Sequence, residues 1–293
     1  MPELGRAPPR AAAWFPGLFV LLWSTGFIAA KYGLPFAPPL TFLLYRFALV
    51  ATLMLFVAMG TGAVWPKTWT QVAHIAVSAW LVHGIYLGGV FVSIAGGMPA
   101  GTSAMLVGLQ PILTVLLARL WFGERVITRQ WLGLLLGLAG VYFVVRNKLG
   151  FSGDLGFLIP SLLALLGISI GTLYQKRFCS RVDLRSGAVI QFAACALLYL
   201  PLCLIFEGNE VRWTPEFIFA LGWSVVVLSV GAISLLYWLL RHGAAANVAR
   251  LFFLVPAVTA VEAWLLFAET LDSLAVAGMV LIALGVALAR PAR

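Results

Sequence analysis

Apolar residues run along this chain in blocks of roughly twenty, parted by short stretches where Lys, Arg, Gly or Pro collects. Such a block matches what an α-helix needs to cross the hydrocarbon core of a bilayer, at a rise of about 1.5 Å per residue. Treating each break as a loop predicts spans near 13–31, 39–59, 69–94, 101–121, 129–146, 155–176, 184–206, 215–240, 246–268 and 272–290. The pattern therefore predicts an all-α integral membrane protein with ten transmembrane helices and no sizeable domain outside the bilayer.

Composition narrows the class further. Of 293 residues, 62% are hydrophobic and 10% charged, with a mean hydropathy of +1.04, which excludes a water-soluble domain. The net charge of +9 is spread singly or in small groups between apolar runs, so it sets topology and does not form a nucleic-acid-binding face. With ten spans, Arg6, Arg10, Lys67, Arg125, Arg129, Lys176, Arg177, Arg181, Arg185, Arg241, Arg290 and Arg293 fall on one side, and Arg146, Lys148 and Arg212 on the other. The positive-inside rule then makes both termini cytoplasmic. The first apolar run, behind Arg6 and Arg10, has the charge order of a signal peptide, but its length and the equally apolar chain behind it favour an uncleaved span. Cys179, Cys195 and Cys203 have no ligand spacing and read as structural thiols.

Laid on itself at an offset of 145 residues, the separation of Pro111 and Pro256, the chain matches without gaps across most of both halves. Ser24 meets Ser169, Lys31 meets Lys176, Phe47-Ala48 meets Phe192-Ala193, Ala100 meets Ala245, Thr114 meets Thr259, Glu124 meets Glu269, and Gly133 and Gly140 meet Gly278 and Gly285. The halves are residues 1–150 and 151–293, with spans about 13–146 and 155–290. Each has an odd number of spans, so the second enters from the opposite side and the two form inverted five-helix repeats. Inverted halves supply one arrangement open to each side, which is what alternating access requires.

The residues also carry a resemblance. Leu22-Trp23-Ser24-Thr25-Gly26-Phe27 with Lys31, Tyr45-Arg46-Phe47, Pro99-Ala100-Gly101-Thr102-Ser103-Ala104 leading to Pro111, and Gly123-Glu124 are typical of one family. So is their second-half counterpart, from Gly243-Ala244-Ala245 through Pro256 to Glu269. On these the chain resembles the EamA family of the drug/metabolite transporter superfamily over nearly its whole length. The resemblance implies a bacterial inner-membrane exporter, with aromatic and other neutral amino acids or related metabolites as the leading cargo. Unlike the nucleotide-sugar and sugar-phosphate branches, the chain has no Lys and Arg clusters in its late spans.

Several residues are candidates for the pathway. Trp80, His83 and Tyr86 recur every three residues in the third span and are expected on one helix face, where with Trp23 they would line an aromatic pocket. His83 falls near the bilayer centre, a position that marks function by default, although a hydrogen-bonded histidine in the bundle interior would suffice structurally. Lys31 and Lys176 either snorkel to the headgroups, or bind the carboxylate or phosphate of a substrate, or close a gate when their side is shut. Gln110, and Gln191 in the seventh span, offer interhelical hydrogen bonds, and Arg250 stands where it could meet a carboxylate at the inner mouth. Pro111 and Pro256 should kink the fourth and ninth spans and could act as hinges. Arg46 and Glu262 lie at similar depths in the second and ninth spans; either they pair across the halves when the outer side is closed, or each finds a separate water or backbone partner. Gly84 and Gly88, Gly133 and Gly137, and Gly167 and Gly171 are spaced for close helix packing.

No catalytic motif, nucleotide-binding loop or metal-ligand cluster stands in the sequence, so neither an enzyme nor a primary pump is expected, and no cofactor or metal. The expected partners are the bilayer and a small-molecule substrate, with monomer and homo-oligomer both open. Nucleosides, sugars or drug-like cations are the alternative cargo, a cation being favoured if Glu262 enters the cavity. A non-transporting scaffold or receptor component is the alternative of another class.

Overall fold

The computed structural model describes residues 14–122, 127–148, 155–208, 210–242, 251–252, 254–269 and 273–288. Helix α1 is Phe15–Gly33, α2 Pro39–Gly60, α3 Trp69–Ala79, α4 Tyr86–Ala95, α5 Ala100–Val107, α6 Gln110–Phe122 and α7 Thr128–Lys148. In the second half α8 is Leu158–Phe178, α9 Leu184–Phe206, α10 Pro215–Gly222, α11 Ile233–His242, α12 Val255–Phe267 and α13 Ser273–Leu288. Among the described residues there is no strand.

Local chemistry sets many of these ends. Proline stands in the first turn of α1, α2 and α10, where its missing N–H costs no helical bond. Thr68 caps α3 by accepting from the Gln71 N–H at 3.3 Å, and Thr214 caps α10 by accepting from Phe217. Asp183 caps α9 through the Arg185 N–H at 2.9 Å. It also accepts from the Val64 N–H at 3.1 Å, which ties the loop after α2 to the start of α9. Its hydrogen bonds from the Arg185 guanidinium hold its carboxyl well below the usual carboxylate range.

Among the described residues, seven continuous stretches are long and apolar enough to cross a membrane: Phe15–Gly33, Pro39–Gly60, Trp69–Ala95, Ala100–Trp121, Leu158–Phe178, Leu184–Phe206 and Pro215–Leu236. The described parts of three predicted spans fall short of that. Helix α7 carries Arg129, Arg146 and Lys148 at its ends, and α12 and α13 have 13 and 16 residues. Residues 13, 246–250, 253, 272 and 289–290 of the predicted spans lie outside the described residues.

Three spans differ from the plain helices expected. The third changes to π-helix over Trp80–Ile85, between α3 and α4. The eighth does the same over Trp223–Ala232, between α10 and α11. The fourth is broken at Gly108–Leu109, between α5 and α6.

Packing crosses the midpoint of the chain throughout. Helix α2 lies along α9, α7 along α13, α4 along α8, and α12 against both α1 and α5. Helix α1 crosses the Trp223–Ala232 segment, and α8 crosses Trp80–Ile85. Phe19, Phe42, Phe47, Phe91, Phe192 and Phe217 are fully buried, with Phe42 edge-on to Phe217 at 5.5 Å and Phe47 edge-on to Tyr199 at 5.3 Å. Glycines bring α7 and α13 into backbone contact. A Cβ on Gly140 would stand 2.6 Å from the Gly278 carbonyl oxygen, and one on Gly285 would stand 2.5 Å from that of Gly133. The outer surface is itself apolar, with Leu197, Leu204, Ile205 and Phe206 exposed as lipid-facing residues are.

Candidate functional site

A π-helical turn frees backbone carbonyls from the α-helical ladder, and a buried carbonyl needs another donor. Here side chains supply it. The Tyr199 hydroxyl donates to the Gly84 carbonyl at 2.8 Å, Cys195 Sγ to Ala79 at 3.3 Å, and Ser229 Oγ to Ser224 at 3.0 Å. Gly88 makes room for this: a Cβ there would sit 2.2 Å from the Tyr199 hydroxyl. Both π segments are therefore fixed by the helix that packs on them or by their own serine.

Between the two π segments lies a cavity of about 120 Å³. Its wall is formed by Trp23, Gly26 and Phe27 of α1, Arg46 of α2, Val82 and His83 of the first π segment, Tyr86, Leu87, Val90 and Phe91 of α4, Ile168, Phe192, and Leu228, Ser229, Ala232 and Ile233. His83 stacks on Phe192 with ring centroids 4.7 Å apart. Arg46 is almost fully buried, donates from Nη2 to Ser229 Oγ at 3.3 Å, and leaves its Nε without a partner. Trp23 packs edge-on to Phe252 at 5.1 Å. Trp23, Phe27, Tyr86 and Ile168 also line a smaller adjoining cavity of about 50 Å³, together with Gln110, Pro111 and Pro256.

Of the residues singled out in the sequence, the structure thus gathers Trp23, Arg46, His83 and Tyr86 on one cavity, and Gln110, Pro111 and Pro256 on its neighbour. Trp80 is not among them. Its indole N–H donates to the Ala194 carbonyl of α9 at 3.1 Å, and its ring is partly exposed. The expectation of a shared face assumed α-helical winding, and the π turn that begins at Trp80 rotates it away from His83 and Tyr86. We expect His83→Ala to reduce transport while folded yield holds, and Trp80→Ala to reduce yield first; comparing purified yield with transport per molecule checks this.

The pairing of Arg46 with Glu262 is not formed. Arg46 turns to Ser229, whereas neither carboxylate oxygen of Glu262 has a hydrogen-bond partner, and Glu262 is absent from the walls of both cavities. Numbering gives depth along a helix but not direction around it, and α12 packs chiefly on α1 and α5. The prolines also act differently from a simple kink. Pro111 follows the break at Gly108–Leu109 and Pro256 opens α12, so each stands in the first turn of a new helix. Pro256 fills the space beside Gly108, where a Cβ would meet its ring at 2.8 Å.

Lys31 forms an ion pair with Glu269 and sits over the Phe267 ring at 4.8 Å. The same Glu269 oxygen accepts from the Ala100 N–H at 3.0 Å, so one carboxylate joins the end of α1, the end of α12 and the first turn of α5. An anion at a helix N-terminus is favoured by the macrodipole. Lys176, the repeat partner of Lys31, is exposed at the end of α8. Arg250 and Glu124 lie outside the described residues. Sequence reasoning missed the Lys31–Glu269 contact and the role of Ser229. The first had a signal, because in the ten-span reading of the sequence the first and ninth spans end on the same side.

The chain's relatives agree with a transport site. The sequence profile of the EamA-like transporter family matches residues 13–146 and 155–290. An uncharacterized transporter of Bacillus subtilis, YvbV, is 28% identical, the match covering 96% of this chain and 92% of that protein. The inner membrane transporter YedA of Escherichia coli K12 is 25% identical, with 89% and 85% covered. A probable amino-acid metabolite efflux pump of the same strain is 27% identical, with 92% and 91% covered. A solved crystal structure with 20% identity superposes with a TM-score of 0.66 over 95% of this chain and 96% of its own, which establishes a shared fold. With its family profile matched from residue 13 to residue 290, this multi-pass helical membrane protein belongs to the EamA-like transporter family.

Proposed function

We propose that the chain is a ten-span secondary exporter of the bacterial inner membrane, built from two inverted five-helix repeats with both termini cytoplasmic. Its cargo is an amino acid or related small metabolite, carried by alternating access. The observation that carries this reading is the buried aromatic cavity at the crossing of the two halves, with Arg46, His83 and Tyr86 among its few polar groups. The name of the Escherichia coli efflux pump, at 27% identity over nearly the whole chain, supports the cargo class.

Reciprocal packing supports the inverted arrangement. Gly140 against Gly278 and Gly285 against Gly133 are the same contact under the offset of 145 residues, as are α1 on the second π segment and α8 on the first. The Lys31–Glu269–Ala100 junction is the latch that holds one end of the pathway shut in this conformation. The absence of any carboxylate among the described cavity-lining residues counts against drug-like cations as cargo.

Purified protein in liposomes loaded with a panel of labelled amino acids and their metabolites tests the reading. Exchange above empty-vesicle controls for at least one compound is expected. Rates equal to the controls across the whole panel would contradict it.

A further inference from the structure

Arg46 is the only Lys, Arg, Asp or Glu among the described residues that line either cavity. It is 7% exposed, and its one hydrogen bond goes to a neutral hydroxyl. A guanidinium at bilayer depth is expected to have an anionic or polar partner, and its planar fork matches a carboxylate in particular.

The protein's own described carboxylates are engaged or placed elsewhere. Glu269 holds Lys31, Asp183 holds Arg185, and Glu207 accepts from the Leu40 and Thr41 N–H groups at the start of α2. Glu262 lies off the cavity wall. No described carboxylate supplies the counter-charge, which leaves the place to a ligand in the cavity. The same wall offers an ammonium group only aromatic faces and the polar atoms of His83, Tyr86 and Ser229. No described acid faces it, Ser229 is already shared between Arg46 and the Ser224 carbonyl, and in an α-amino acid the ammonium is one carbon from the carboxylate and so would lie close to the guanidinium. The remaining wall of Trp23, Phe27, Phe91 and Phe192 suits an apolar or aromatic body.

We propose that the cavity selects monocarboxylates that carry an apolar or aromatic body and no free α-ammonium, with Arg46 clasping the carboxylate, over zwitterionic amino acids and over amines. The inference rests on the exporter reading and sharpens its cargo from amino acids to their deaminated or N-blocked relatives. Arg46 thereby becomes the specificity-determining residue of the site.

Three compounds sharing a phenylethyl body isolate the charge: 3-phenylpropanoate, phenylalanine and 2-phenylethylamine. Calorimetric titration of the purified full chain should give 3-phenylpropanoate an affinity at least tenfold above phenylalanine, with 2-phenylethylamine weakest. Arg46→Gln should abolish the difference between carboxylate and amine, and Arg46→Lys should restore it in part. Phenylalanine binding as tightly as 3-phenylpropanoate, the amine binding best, or no binding of any of the three would overturn the proposal. So would an Arg46→Gln protein that keeps the wild-type order. The wild-type comparison stands even if a variant does not fold. Equal affinities combined with phenylalanine exchange in liposomes would remove this inference and leave the exporter reading intact, whereas no exchange of any panel compound would remove both.

Discussion

Gly285→Leu will leave little folded protein. A side chain at Gly285 has nowhere to go, because its Cβ would stand 2.5 Å from the Gly133 carbonyl oxygen and 2.7 Å from the Gly137 amide nitrogen. These are backbone atoms, so no rotamer change relieves the clash, and the α7–α13 contact must open along its length. Overpacking in a close-packed interior costs about 1–3 kcal/mol, with this case at the upper end or beyond. Gly140→Leu should behave alike, since it meets the Gly278 carbonyl at 2.6 Å. Gly222→Leu is the control, a helical glycine with nothing within 4 Å of the added Cβ. Monodisperse yield and Tm in detergent measure the effect: both should fall for Gly285→Leu and Gly140→Leu and hold for Gly222→Leu. Wild-type values for all three would refute the packing account of these glycines.

The second large effect is expected at Glu269. Glu269→Gln removes the counter-charge of Lys31 and weakens the acceptor at the first turn of α5 in one step. Glu269 is 11% exposed and Lys31 30%, so solvent screens part of the attraction, and the loss is set at about 1–2 kcal/mol. If the junction is a latch, that amount shifts the balance of open and closed states by roughly tenfold. Transport per molecule should fall several-fold while folded yield is nearly kept, and thiol reagents should reach the cavity more readily from the latched end. A fall in yield matching the fall in transport, with no change in accessibility, would make the pair a structural tie.

The contrast between these residues and those misjudged from sequence has a physical basis. Apolar periodicity locates helices because burial in lipid constrains every residue of a span, so most predicted helices are found close to their expected bounds. It does not register a change of winding. Trp80 was assigned to the cavity on α-helical spacing, and a single π turn was enough to move it to α9. Arg46 and Glu262 share a depth yet not a neighbour, since depth follows from numbering and azimuth follows from packing. The offset of 145 residues matched Lys31 with Lys176 and Glu124 with Glu269 as equivalents. It could not say that Lys31 reaches Glu269, because that contact crosses between different spans of the two halves. Trp23, His83 and Tyr86 were legible because side chains that carry an ionisable or hydrogen-bonding group at mid-span depth are drawn from lipid to the interior. Ser229 was not, because its importance comes from Arg46 and from a freed π-helical carbonyl.

The central claim is that the cavity around Arg46 opens to each side of the membrane in turn, and a single cysteine in its wall tests it most directly. Gly26 suits the purpose, since an added Cβ there meets only the Leu228 side chain at 3.8 Å. In a chain with Cys179, Cys195 and Cys203 replaced, Gly26→Cys is treated with a membrane-impermeant thiol reagent in right-side-out and inverted vesicles. Labelling from both sides, slowed from both by a transported compound, is the predicted result. Labelling from one side only, whatever compound is present, would contradict alternating access.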